Sequence, residues 1–201
     1  MKNVIEHYNQ LIDENNDPVH DPKPLREYMD KWDGKKFIDS MQLDKSKSVL
    51  EIGVGTGRLA IKIAPSCGRF VGVDISPKTI ERAKENLLSC SNVELICDDF
   101  MSFSFDRCFD VIYSSLTFMH IKEKAFAIQK IASLLKTDGL FVLSIDKNQS
   151  DFIDMGIRKI KIYPDNPTDI CHFILDTKLK LIDQFETDNA HVIVSKKVSS
   201  V

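Results

Sequence analysis

The sequence predicts an α/β fold: a seven-stranded, mostly parallel sheet ending in an antiparallel hairpin, with helices on both faces and an N-terminal helical lid. Three observations lead there. From residue 48 onward, strand-length apolar runs alternate with segments of helical period, the signature of βαβ crossovers and a parallel sheet. The last two strand-like runs, 178–186 and 191–197, are separated only by residues 187–190, too few for a crossover, so this pair is antiparallel. Between the first run and the helix after it, three glycines crowd into VLEIGVGTGR, residues 49–58.

Taken in order, the elements begin with three helical stretches. Val4, Ile5, Tyr8, Leu11 and Ile12 share one helical face, Leu25, Tyr28, Met29 and Trp32 share another, and Phe37, Ile38 and Met41 mark a third. Between the first two, residues 15–24 carry Pro18, Pro22 and Pro24, which exclude regular structure there. Residues 1–42 therefore read as a helical cap or lid and as the least stable part of the fold, docked on a core of residues 43–201. In the core, parallel strands are expected at 48–52, 70–74, 93–97, 110–114 and 140–145. Leu59, Ile63 and Ala64 mark the first helix, Ile80, Ala83, Leu87 and Leu88 the next, and Ala125, Ile128, Ala132 and Leu135 a third. Ser76 and Pro77 supply an N-cap and a first helical residue, and Asp138-Gly139 reads as the end of the third helix. A short helical stretch at Ile170, Phe173 and Ile174 precedes the hairpin.

Composition narrows the function. A chain of 201 residues with 43% hydrophobic residues buries a core without help from disulfides or metals. Its 27 basic and 30 acidic residues give a net charge of -3, which leaves no electrostatic footprint for nucleic acid or an anionic membrane. No run is long enough to cross a bilayer, and the first residues, MKNVIEHYNQ, lack a signal-peptide pattern. The five cysteines form no CxxC or Cys/His cluster, so buried free thiols in a reducing cytoplasm are expected and a metal site is not.

Ligands of an open parallel sheet bind at the carboxyl ends of its strands. Those ends are Glu51, Asp74, Asp98-Asp99, Ser114-Ser115 and Asp146-Lys147, five polar ends in register. Gly53, Gly55 and Gly57 allow a tight strand-to-helix turn and let a ligand lie against bare backbone. A dinucleotide site calls for GxGxxG; here the glycines run GxGxG, and Arg58 takes the place of the third glycine. The carboxylates at the first three strand ends would repel a pyrophosphate and suit a ligand carrying positive charge, such as a sulfonium with an amino group.

In the order and spacing of VLEIGVGTGR, FVGVDIS, VELICDDF, FDVIYSSLTFMHI and LLKTDGLFVLSID, the chain resembles the class I S-adenosylmethionine-dependent methyltransferases, a Rossmann-like family, over residues 48–198. The resemblance implies S-adenosylmethionine as cofactor and a role for each matching residue. Glu51 would support the turn near the methionine amino group, with the backbone of Gly53, Gly55 and Gly57 along the methionine and ribose. Asp74 would accept from both ribose hydroxyls, Ile75 would pack on the adenine, Asp98 would accept from the adenine amino group, and Asp99 and Phe100 would flank the ring. Ser114 and Ser115 would lie under the methionine. Cys97 stands where many relatives have glycine, and Ser114-Ser115-Leu116 departs from the Asn/Asp-Pro-Pro-Tyr of enzymes that methylate nucleobase or glutamine nitrogens.

A base is needed only if the acceptor must lose a proton. Candidates at the pocket mouth are His120 and Asp146, with Lys147 and Tyr163 beside them; Tyr8 of the lid is a candidate for touching the cofactor. The cluster RKIK at residues 158–161 reads as a solvated strand face. The sequence thus points to a cytoplasmic methyltransferase, monomeric or homodimeric, acting on a small molecule without nucleic-acid or membrane partners. Its rivals are a non-catalytic cofactor-binding regulator or partner subunit and, against the glycine spacing, a dinucleotide-dependent reductase.

Overall fold

The computed structural model describes residues 2–156 and 158–199. Its main sheet has seven strands in the order β3-β2-β1-β4-β5-β9-β8. Five of them, β1 (Ser48–Ile52), β2 (Arg69–Asp74), β3 (Val93–Cys97), β4 (Phe109–Ser115) and β5 (Leu135–Asp146), run parallel. The final hairpin, β8 (Leu179–Glu186) and β9 (Ala190–Lys197), adds antiparallel through β9 against β5.

In β1, β2, β4 and the second half of β5 the apolar runs are continuous because those strands are buried on both faces, whereas β3 at the sheet edge is only half-buried. Side chains alternate between two cores, as the strand period of two requires. Leu50, Ile112, Phe141 and Leu143 pack with Ile128 and Ile131 of α6 (Lys124–Leu134) and Ile170 and Ile174 of α7 (Pro167–Leu175). Val49, Val111, Tyr113 and Val142 pack on the other face, with Phe37 of α3 (Gly34–Asp39), Ile63 of α4 (Ala60–Ile63) and Ile80 of α5 (Pro77–Asn86). Local capping fits these helices: the Ser76 hydroxyl accepts from the Thr79 N–H, and Asn166 Oδ1 accepts from the Thr168 and Asp169 N–H groups. Because β1 lies between β2 and β4, the connections leaving β1 and β4 pass to opposite faces and open a crevice at the carboxyl edge.

The first helix, α1 (Lys2–Asp13), lies across the start of α5. Asn9 Oδ1 accepts from the Ser76 hydroxyl at 2.9 Å and from the Lys78 N–H at 3.2 Å, and Asp13 pairs with Lys78. The proline-rich segment behind α1 is pinned. The buried Asp17 carboxylate accepts from Val19 N–H, Arg82 Nη1 and Asn86 Nδ2 at 3.0–3.2 Å.

Several expectations need correction. Pro24 does not exclude regular structure; it sits in the first turn of α2 (Lys23–Met29), where its missing N–H costs nothing. Leu25 and Tyr28, read as a packing face, are each 51% exposed, because this short helix buries none of its residues. Trp32 lies beyond that helix, stacked edge-on against Tyr28 at 5.2 Å. The third core helix stops at Leu134, before Asp138-Gly139, because Leu135 already pairs with Phe109 and the following residues bulge before pairing resumes at Leu140. All five cysteines are free, yet only Cys67 is buried; Cys97 and Cys108 are exposed. A small hairpin, β6 (Phe152–Asp154) with β7 (Lys159–Lys161), stands apart from the main sheet. Arg158 beside it is no solvated face residue, since it binds Glu14 at 2.7 and 2.8 Å and His7 at 3.0 Å.

The Asp17 cluster sets a first expectation. Asp17→Ala removes three hydrogen bonds to a buried carboxylate, worth about 1–3 kcal/mol together once Arg82 is resolvated. Tm should fall by roughly 2–4 °C per kcal/mol. Limited proteolysis should then cut within residues 15–24 of the variant faster than in the wild type. An unchanged Tm and cleavage rate would show that Asp17 does not hold the segment.

Candidate functional site

Where β1 ends, the chain turns through Gly53 (φ +78°), Gly55 (φ +55°) and Gly57 (φ +97°), a backbone that side chains other than glycine resist. The three glycines answer different neighbours. A Cβ on Gly53 would lie 2.0 Å from Thr117 Oγ1, and one on Gly57 would meet Leu87, just past the end of α5, at 3.2 Å. At Gly55 a Cβ would meet nothing within 4 Å, and the residue lines the main cavity. Gly55 is where bare backbone faces open space. Its N–H donates to Asp74 Oδ2 at 3.0 Å, and the Ser76 N–H donates to Oδ1 at 2.9 Å. One carboxylate at the end of β2 thus fixes the glycine loop and the start of α5 together. Burial pushes the Asp74 carboxyl up, while the backbone donors Ser76, Gly55 and Ile75 pull it down. Each oxygen keeps acceptor capacity for a further donor.

The cavity occupies about 900 Å³ over the carboxyl edge of the sheet and is roofed by α1 and the segment behind it. Of the residues singled out from sequence, Tyr8, Glu51, Gly53, Gly55, Asp74, Ile75, Asp98, Asp99, Phe100, Ser115, His120 and Tyr163 line it. Asp98 and Asp99 are turned into the loop after β3 by bonds from the Asp99 and Met101 N–H groups. Gly57 packs against Leu87 and does not line the cavity. Ser114 does not either: it is fully buried, its hydroxyl donating to the Ile52 carbonyl at 3.0 Å, because alternate residues at the end of β4 point to opposite faces. Asp146 lines a second, smaller cavity of about 440 Å³, which shares Tyr8 and Leu116 with the first. Lys147 turns away from both cavities, to Glu186 at 2.9 Å and the Thr187 carbonyl at 2.7 Å.

Glu51 and Arg58 also line the cavity. The buried Glu51 accepts from the Tyr113 hydroxyl at 2.8 Å. Burial pushes its carboxyl well up, and the Tyr113 hydroxyl and the Arg58 charge act against that. Arg58 is held by Asp33, an N-terminal residue that the sequence did not single out; hydrophobic periodicity carries no signal for an ion pair across 25 residues.

Tyr8 reaches over from α1 so that its hydroxyl and His120 Nε2 lie 2.8 Å apart, with the rings edge-on. Burial, then the nearby His7 and Lys124 charges, push His120 down to about 4, so the ring is neutral at pH 7. Burial, with the Asp74 charge, pushes the Tyr8 phenol up, so it keeps its proton. Nδ1 of His120 is buried without a hydrogen-bond partner.

Residues 49–139 match the family model for the methyltransferase domain. An uncharacterized methyltransferase of Anoxybacillus flavithermus is 35% identical over 122 residues, which are 59% of this chain and 56% of that protein. The matches span 56%, 41% and 49% of the length of three of the curated relatives. The N-methyltransferase NodS of Bradyrhizobium japonicum, solved with S-adenosyl-L-homocysteine, aligns at TM-score 0.68 and 17% identity over 89% of this chain and 90% of its own. The [4+2]-cyclase SpnF aligns at TM-score 0.75 and 15% identity over 98% of this chain and 96% of its own. At such identities the solved structures show the fold alone.

The Tyr8–His120 contact has a pH signature. With a folded value near 4 against 6.5 unfolded, His120 takes up protons first in the unfolded state, so its contribution to stability is complete above pH 6.5 and lost as pH falls toward 4. His120→Gln removes that loss. The Tm advantage of the wild type over this variant should shrink from pH 7.5 to pH 4.5 in a thermal-melt series. A difference that stays constant across that range would contradict a buried neutral His120.

Proposed function

We propose that the chain is a class I S-adenosylmethionine-dependent methyltransferase that transfers the methyl group of S-adenosylmethionine to a small-molecule acceptor, a reading supported by the methyltransferase-domain match over residues 49–139 and by the fold shared with NodS. The observation that carries this is the Asp74–Gly55 junction. A partly satisfied carboxylate stands beside a glycine whose missing side chain leaves a cradle open to the cavity. The residues present fit the cofactor. Asp74 would accept from the ribose hydroxyls, Ile75 and Phe100 would cover the adenine, and Asp98 would accept its amino group, with Asp99 at the ring edge. At the amino-acid end, Glu51 would meet the ammonium and Arg58 the carboxylate, using guanidinium donors not spent on Asp33. The lack of a third glycine in register, and the acidic cavity wall, speak against a dinucleotide.

When bound, the cofactor supplies a methyl group on a sulfonium, already activated for in-line displacement. The chain then has to orient the acceptor and exclude water. Tyr8 and Leu116 stand between the main cavity and the smaller one that Asp146 lines, so an acceptor in the smaller cavity would meet the methyl group at that partition. The neutral His120 can take a proton, provided the Tyr8 hydroxyl lets go of Nε2. The roof formed by α1 and the net charge of -3 favour a small acceptor over a nucleic acid or a membrane-borne one.

Calorimetric titration tests the cofactor reading. The folded protein should bind S-adenosylhomocysteine and not NADH. Asp74→Ala loses charge-assisted bonds of about 1.5–3 kcal/mol, so affinity should fall roughly ten- to a hundredfold. Binding of NADH alone, or unchanged affinity in a folded Asp74→Ala variant, would overturn it.

A further inference from the structure

The Asp33 side chain is closed to solvent and surrounded by donors. It caps α3 by accepting the Gly34 N–H at 2.8 Å, accepts Arg58 Nη1 at 3.1 Å and Arg58 Nη2, and accepts the Ser115 hydroxyl at 2.9 Å. Arg58 follows the glycine loop and Ser115 ends β4, and both line the main cavity near Glu51. A single carboxylate from the N-terminal segment thus ties together the two strand ends that flank the topological switch.

We propose that Asp33 is a positioning residue for the amino-acid end of the cofactor: it aims the Arg58 guanidinium at the carboxylate and keeps it from closing onto Glu51. The inference rests on the cofactor reading above. A guanidinium only 14% exposed needs a fixed counter-charge, and its planar fork suits a carboxylate that takes two donors at once. With two nitrogens committed to Asp33, the remaining N–H groups have a set direction. Asp30 is a more distant partner at 3.6 Å and itself pairs with Lys62 at 2.7 Å. Without Asp33, the buried carboxylate left beside Arg58 is Glu51. A pair formed there would consume both groups that a zwitterionic ligand needs. With Asp33 in place the pocket holds one neutralised cation and one separate acid, matched to a ligand with one carboxylate and one ammonium.

The test uses the full chain and two ligands that share the nucleoside and the sulfur. S-Adenosylhomocysteine has the amino-acid end; 5′-methylthioadenosine lacks it. By calorimetry, Asp33→Asn should weaken S-adenosylhomocysteine about tenfold or more and leave methylthioadenosine within about twofold. Equal losses for both ligands would mean a merely structural role, and no loss for either would mean no role; both outcomes overturn the proposal. If Asp33→Asn does not fold, Arg58→Lys keeps a cation opposite Asp33 but removes the fork, and the same split between ligands is expected; equal effects on the two ligands would refute it. A wild-type protein that binds neither ligand would instead sink the cofactor reading, a result separable from any variant's.

Discussion

Parallel strands all end on one edge of their sheet, and in this chain the strand order reverses between β1 and β4. The site depends on that constraint. It brings Glu51, Asp74, the loop after β3 and Ser115 to a common rim, and it parts the following connections so that a crevice stays open between them. Asp74 then uses the crevice in two ways. Its backbone bonds to Gly55 and Ser76 stiffen the loop and the helix start, and its remaining acceptor capacity faces the cavity. The carboxylate that shapes the pocket is the one best placed to read a ligand inside it.

The N-terminal segment completes what the sheet leaves open. Its anchors are spread along its length: Tyr8 to His120, Asn9 and Asp13 to the start of α5, Asp17 to Arg82 and Asn86, and Asp33 to Arg58 and Ser115. Two of these contacts, at Tyr8 and Asp33, end on residues that line the main cavity. The roof and the pocket are therefore joined by direct contacts. A ligand that engages Arg58 would also act on Asp33, and through it on the segment that covers the ligand.

The strands of the core were legible because burial on both faces leaves continuous apolar runs, and the terminal hairpin because four residues cannot cross a sheet. The β6–β7 hairpin was not, since FID and KIK are too short and too polar to show a period. Asp138-Gly139 was read wrongly as a helix end, because pairing of Leu135 with Phe109 overrides local propensity. At the site, glycine type and strand-end position pointed to the right edge of the sheet, but not to which neighbour each glycine serves: Leu87 for Gly57, Thr117 for Gly53, open cavity for Gly55. Asp33 and His7 were missed, and Arg158 was misread as a solvated face residue, for one reason. Each acts through a polar contact between residues far apart in sequence, and no local pattern announces such a pair.

The most direct test of the account is transfer itself. The protein would be incubated with methyl-labelled S-adenosylmethionine and a metabolite extract, and the products separated by mass. The account predicts label in a low-mass product with the wild-type protein and almost none with Asp74→Ala. Label found only in macromolecules, or no transfer by a protein that nonetheless binds S-adenosylhomocysteine, would contradict it.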